Sequence, residues 1–332
     1  MHAVLSERLF GAQTAFAHPV TRGATLAVVV LLITSPLVIV SLRAAGAITA
    51  EHFGELMRRW LSWCVLVPLM LAPVLLGPAW LMVGVGILSA MCFREFARAV
   101  GLLSEQRIVA TVYLGIALLT LAALDQWYAF FVALVPLTSL TIASIAIIDD
   151  RPHGYVRRVS LAVWGFLLFG SALGHLGYMG NDLDYRPMVI VMLLSVELND
   201  VFAYVCGKLF GRRKLAPNTS PNKTAAGSFG ALVLTTALVA VAGFFVFPAG
   251  ALHQPLHLIV LGLLISILGQ LGDLMLSSVK RDVGVKDLGD AIPGHGGLLD
   301  RFDSLLLVAP AVFHYVNYFR GLVPAQEVRV LF

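Results

Sequence analysis

Two stretches of this chain gather residue types whose spacing could serve phosphate and metal chemistry. In LGDLMLSSVK, Asp273, Ser277 and Lys280 recur at i, i+4 and i+7. On a helix that spacing sets a carboxylate, a hydroxyl and an ammonium along one face. In LLDRFDSLLL, Asp300 and Asp303 are placed i, i+3 at the expected start of the last helix. Two carboxylates on one turn repel unless a cation lies between them, and hard oxygen ligands suit Mg2+. The plainer alternative is a pair of acids complementing a helix N-terminus, with Arg301 as counter-ion. Between the two helices runs KRDVGVKDLGDAIPGHGG. Lys280, Arg281 and Lys286 are phosphate-seeking cations there, and Gly294, Gly296 and Gly297 allow backbone to approach a ligand closely. Pro293 and the glycines exclude a continuous helix, and His295 stands among glycines just ahead of the carboxylate pair.

The second stretch is ELNDVFAYVCGKLFGRRKLAPNTSPNKTAAGSFG. Glu197, Asp200 and Tyr204 share a helical face with Asn199 beside them, and a basic loop follows with Lys208, Arg212, Arg213, Lys214 and Lys223. Carboxylates and two basic, glycine-containing loops at one membrane face would suit Mg2+ with a polyphosphate. A Walker A loop, GxxxxGK[ST], is absent, so the P-loop reading fails.

The elements that must position these residues are membrane helices. The chain has 332 residues, 59% hydrophobic and 13% charged, with a mean hydropathy of +0.88. That composition implies an all-α, polytopic helical membrane protein. Ten apolar segments are expected, at about 25–42, 61–77, 78–92, 108–124, 127–148, 159–179, 187–206, 228–248, 255–278 and 304–319, so nine or ten helices should cross the bilayer. All of 1–332 then forms a single integral membrane domain, with N-terminal helices over 1–186 and the catalytic region over 187–332. Loops at 43–60, 93–107, 149–158, 207–227 and 279–303 hold 18 of the 23 Lys and Arg residues, which assigns them to the cytoplasm. The small residues after the first segment could mark a cleavage region, but Arg43 stands within it, so an uncleaved span is expected. Glu197, Asp200 and Asp273 are the acids expected well inside spans, where each costs on the order of 2.5–3.5 kcal/mol without a partner or a function. Cys64, Cys92 and Cys206 lack CxxC spacing and imply neither disulfides nor zinc. The basic residues sit in loops rather than in a stripe with aromatics, which excludes nucleic acid as a partner. No repeat of solenoid period is present.

At this point the residues resemble the phosphatidate cytidylyltransferases, or CDP-diacylglycerol synthases. Ser277, Lys280, Arg281, Lys286, Asp287, Gly289, Pro293, His295, Gly296, Gly297, Asp300, Arg301 and Asp303 occupy the positions of that family's signature without a gap. Upstream, Asn199-Asp200, Ala203-Tyr204, Gly207-Lys208, Gly211-Arg212, Lys214-Leu215 and Ser220-Pro221 with Lys223-Thr224 also match. One position departs: Ala226 stands where the family usually has Glu. The resemblance covers about residues 195–305 and implies transfer of CMP from CTP to phosphatidic acid within the lipid bilayer, with loss of pyrophosphate. It implies Mg2+ on Asp273, Asp300 and Asp303, with a second divalent or monovalent cation in reserve. It further implies catalytic roles for Ser277, Lys280, Arg281, His295 and Arg301, and substrate contacts from Asn199, Asp200, Arg212, Lys214, Lys223, Lys286 and Asp287. A homodimer in a bacterial plasma membrane, with the site facing the cytoplasm, completes the expectation. A secondary transporter competes because intramembrane carboxylates mark ion pathways, yet the polar residues concentrate in one half of the chain. A CDP-alcohol phosphotransferase is excluded because no glycine follows Asp303, and a related enzyme for another lipid phosphate remains the nearer alternative.

Overall fold

The computed structural model describes residues 8–289, 296–323 and 329–330. Among them nine helices are long and apolar enough to cross a membrane: α1 Pro19–Ala44, α2 Ala50–Leu76, α3 Pro78–Ala99, α4 Gln106–Leu124, α5 Tyr128–Ile145, α6 Tyr155–Asn181, α7 Tyr185–Phe210, α8 Ala225–Val246 and α9 Pro255–Asp282. A short turn of helix, α10 (Leu299–Phe302), precedes α11 (Leu305–Arg320). The protein is therefore an integral membrane protein of helical class. The tenth expected span corresponds to α11, whose 16 residues reach roughly 24 Å at 1.5 Å per residue.

Local chemistry sets several helix starts. Thr49 and Thr224 cap α2 and α8 by accepting from His52 N at 3.3 Å and Gly227 N at 3.1 Å. Pro19, Pro78 and Pro255 occupy first-turn positions, where the missing N–H costs nothing. In α6 the Phe166–Ala172 segment is π-helical, and Gly165 beside it lets the rings of Phe93 and Phe96 approach.

Two expected loops are corrected. Most of 43–60 is helix, because α2 begins at Ala50 with an amphipathic turn in which Arg59 pairs with Glu55 at 2.6 Å. The loop 207–227 is shortened from both ends and holds an antiparallel hairpin, β1 Lys214–Ala216 and β2 Ser220–Thr224, with Lys214 opposite Thr224. The turn chemistry of Pro217-Asn218 outweighs the all-helical pattern there.

Arginine hydrogen bonds and ion pairs tie the loops together at each end of the bundle. At one end Arg8 Nη2 donates to Leu124 O at 2.7 Å, Arg186 Nη2 to Gly11 O at 2.7 Å, and Arg320 pairs with Asp184 at 2.7 Å. At the other, Arg151 pairs with Glu105 at 2.8 Å, and Arg107 with Asp149. The three cysteines are free.

Helices α7, α8 and α9 pack against one another around Asn199, which is 1% exposed. Its Oδ1 accepts from Thr235 Oγ1 at 2.9 Å and from Ser266 Oγ at 2.6 Å, so one amide joins three helices. Gln270 Nε2 continues the ladder to Ser266 Oγ at 3.2 Å. Removing the shared acceptor leaves two buried hydroxyls unmatched, at a cost of about 1–3 kcal/mol. Asn199→Ala is therefore expected to lower the thermal unfolding temperature of the detergent-solubilised protein, and Thr235→Val alone to lower it less.

Candidate active site

Helix α9 carries Asp273, Ser277 and Lys280 toward the basic end of the bundle, as the i, i+4, i+7 spacing requires. Ser277 Oγ donates to Asp273 Oδ1 at 3.1 Å. Asp273 Oδ2 forms an ion pair with Lys223, which reaches it from strand β2. The hairpin is held over the end of α9 by Arg281, whose Nε donates to Thr219 O at 3.3 Å.

Lys280 turns away from Asp273. Its Nζ donates to Asp300 Oδ1 at 2.8 Å, and both residues are 9% exposed. The other oxygen, Asp300 Oδ2, accepts from Leu288 N at 3.0 Å and Gly297 N at 3.1 Å. Asp300 thus spends both oxygens on fastening the segment after α9 to α10. The expectation that Asp300 and Asp303 begin the last helix is corrected: Asp300 lies in α10, and Asp303 at the junction before α11.

Glu95 on α3 is a positioning residue of the candidate site that the sequence pattern hides, because it falls within 93–107, which that pattern assigns to a loop. Its Oε1 accepts from Leu298 N at 3.0 Å and its Oε2 from Leu299 N at 2.8 Å, so it satisfies free amides at the start of α10. Gly289 and Gly297 close around it; a Cβ on either would stand 2.6 Å from a Glu95 oxygen. The available signal was the helical recurrence of Cys92, Phe93, Phe96, Ala97 and Val100, all buried, which carries α3 past Glu95.

Asp303 is 7% exposed, and its Oδ1 accepts from Ser304 N at 2.7 Å. Its Oδ2 makes no hydrogen bond among the described residues. Gly272 permits this placement, since a Cβ there would lie 2.6 Å from Asp303 O. The charges of Asp273 and Asp200 both act on Asp303, and those of Asp273, Lys223 and Arg301 act on Asp200. Asp200, Asp273 and Asp303, on α7, α9 and the α10–α11 junction, therefore form one acidic cluster with Lys223 as its resident cation.

No three Asp, Glu, His or Cys side chains among the described residues stand at ligating distance of one point. The donor chemistry still fits a hard divalent cation: Asp200, Asp273 and Asp303 are all carboxylates, Asp303 Oδ2 makes no hydrogen bond among the described residues, and an ammonium already pairs with Asp273. The remaining expected residues are peripheral. Arg212, Lys214, Arg281, Lys286 and Asp287 are exposed, and Arg301 is half-buried with no ion pair among the described residues. Tyr204 turns outward and accepts from Lys208 Nζ at 3.3 Å. Ala226, in the first turn of α8, leaves that helix start without an acid. His295, Pro293 and Gly294 lie outside the described residues.

Comparison with known proteins places these residues in a wider set. Residues 57–319 match the profile of the cytidylyltransferase family. A phosphatidate cytidylyltransferase of Staphylococcus haemolyticus is 33% identical over 258 residues, covering 76% of this chain and 95% of that protein. The phosphatidate cytidylyltransferase of Bacillus subtilis is 39% identical over 141 residues, covering 42% of this chain and 51% of that protein. The uncharacterized protein YnbB of Escherichia coli is 31% identical over 272 residues, covering 80% and 88%.

The two charge-assisted bonds to Glu95 are worth about 1.5–3 kcal/mol each by the usual range. Glu95→Ala is expected to accelerate hydrogen exchange at the Leu298 and Leu299 amides by about tenfold or more, with α5 unchanged. Glu95→Gln, which keeps an acceptor, should recover part of the protection.

Proposed function

Because the chain belongs to the cytidylyltransferase family, we propose that its acidic cluster and basic hairpin transfer CMP from CTP to phosphatidate, giving CDP-diacylglycerol and pyrophosphate. The observation that carries this reading is the meeting of Asp200 on α7, Asp273 on α9 and Asp303 just before α11 with Lys223 and Arg301. Such a site can gather two anions that otherwise repel each other.

In the reaction a phosphate oxygen of the lipid attacks the α-phosphorus of CTP. The bond from that phosphorus to the β-phosphate oxygen breaks, and pyrophosphate leaves with the electron pair. The attacking phosphate is ionised at neutral pH, so no side chain has to remove a proton. Catalysis then consists of positioning and charge neutralisation. Lys223, Arg301 and Lys280 are the cations whose charges act on the cluster; Lys223 and Arg301 would hold phosphates, with the exposed Arg281, Arg212 and Lys214 extending the basic surface. Ser277 orients Asp273, while Lys280, Asp300 and Glu95 fix the segment that carries Asp303. Mg2+, held by Asp273 and Asp303 with Asp200, would offset the charge between the two substrates.

The positive-inside bias supports a site that opens to the cytoplasm, where CTP is found, and the bacterial relatives support an inner-membrane location. Ala226 favours testing lipid phosphates beside phosphatidate. Purified protein with Mg2+, labelled CTP and phosphatidate in mixed micelles is expected to form CDP-lipid, and chelation of divalent cations to stop it. Asp303→Asn should lower turnover by at least about a hundredfold, the scale of losing one charge-stabilising group. Product from a different lipid phosphate alone would change the substrate and keep the chemistry, whereas unimpaired turnover by the mutant would remove Asp303 from the site.

A further inference from the structure

Helix α1 packs along one side on α2, α7 and α8, and Thr21 is its one buried residue. It also precedes the family match, which begins at residue 57. Between α1, α2 and α7 lies a cavity of about 510 Å3. Its walls are apolar, from Ala24 and Leu71 at depth to Ile39 and Leu56 toward the loops that carry the site. Ala24 to Ile39 measures roughly 22 Å along a helix at 1.5 Å per residue. Two charged side chains line it, Arg59 and Glu197. Glu197 precedes Asp200 by one turn of α7 and feels the charges of Asp200 and Arg301. Through Glu197 the cavity adjoins the acidic cluster.

A specific bond holds α1 in place as its outer wall. Pro36 has no N–H, so Leu32 O loses its helical donor at i+4. Trp60 Nε1 on α2 donates to that carbonyl at 2.9 Å, beside a longer bond from Ser35 Oγ at 3.4 Å. In hydrocarbon a poorly matched carbonyl is costly, so the shorter bond from Trp60 pins α1 across the cavity.

The lining selects the occupant. The cavity walls are apolar over a length that suits a single extended hydrocarbon chain, and Glu197 sets them one turn of α7 from Asp200, where Lys223 and Arg301 would hold an attached phosphate. A segment of a second copy seated in the same groove would show no dependence on the lipid's chain length. We propose that this cavity holds an acyl chain of the lipid phosphate substrate, with its headgroup at the Glu197 end and α1 as a dedicated wall. The proposal rests on the lipid phosphate transfer put forward above.

Steady-state kinetics of wild type, Ala27→Trp, Leu194→Trp and Trp60→Phe with dioleoyl and dioctanoyl phosphatidate, beside native mass spectrometry of bound dioleoyl lipid, test it. Each tryptophan placed in the cavity is expected to raise the KM for the dioleoyl lipid roughly tenfold, the effect of losing burial of about two methylenes. In Ala27→Trp the KM for dioctanoyl lipid and for CTP should change less than about twofold, whereas Leu194→Trp, one turn from Glu197, should raise the KM for both lipids and spare that for CTP; bound dioleoyl lipid should fall in parallel in each. Trp60→Phe, which keeps the ring and loses the donor, should show the chain-length dependence of Ala27→Trp more weakly. Equal effects of Ala27→Trp on both lipids, or unchanged lipid retention in both cavity-filling variants, would overturn the proposal. If wild type forms no CDP-lipid, the transfer reading fails while lipid retention still decides the cavity.

Discussion

A carboxylate within a helical membrane bundle needs a counter-charge or a hydrogen-bond partner, and the arrangement of this protein follows from that constraint. Asp273 meets Lys223 and Asp300 meets Lys280. Each pair joins segments distant in sequence: the first brings the hairpin to α9, the second brings α10 back to α9. Buried pairs of this kind add little net stability, because desolvation offsets attraction. Their value here is geometric, since each fixes a loop that hydrophobic packing alone would leave unspecified. Asp303, which has no cation of its own at ion-pair distance among the described residues, is then presented to Asp273 and Asp200 by structure built elsewhere.

The same logic explains why a residue from the N-terminal half belongs to the site. Glu95 accepts two amides at the start of α10 and is enclosed by Gly289 and Gly297. Its contribution is to position Asp300, Arg301 and Asp303. The N-terminal helices therefore do more than anchor the chain: α3 supplies this fastening, and α1 and α2 wall an apolar cavity that adjoins the acidic cluster through Glu197.

Much of this was legible in the sequence because hydrophobic length and charge spacing are local signals. The segments at 108–124 and 255–278 differ from α4 and α9 by a few residues at most, and the i, i+4 relation of Asp273 and Ser277 became a hydrogen bond. What the pattern could not disclose was partnership across the chain. Asp300 and Asp303 look alike in LLDRFDS, yet Asp300 is engaged by Lys280 and two amides while Asp303 keeps one oxygen without a hydrogen bond among the described residues. Asn199 reads as a site residue beside Asp200, but its carbonyl oxygen is taken by Thr235 and Ser266 from two other helices. Glu95 was hidden because flanking Arg94 and Arg98 gave the end of α3 a loop-like charge density.

The division of labour between the two aspartates is the central claim, and Mn2+ titration followed by electron paramagnetic resonance tests it without requiring turnover. Wild type, Asp300→Asn and Asp303→Asn would be compared in the same detergent at equal protein concentration. Bound Mn2+ is expected to persist in Asp300→Asn, with affinity within about fivefold of wild type, and to fall by at least about tenfold in Asp303→Asn, one ligand's worth of binding energy. Loss in Asp300→Asn with retention in Asp303→Asn would contradict the assignment of Asp300 to positioning and Asp303 to the cation.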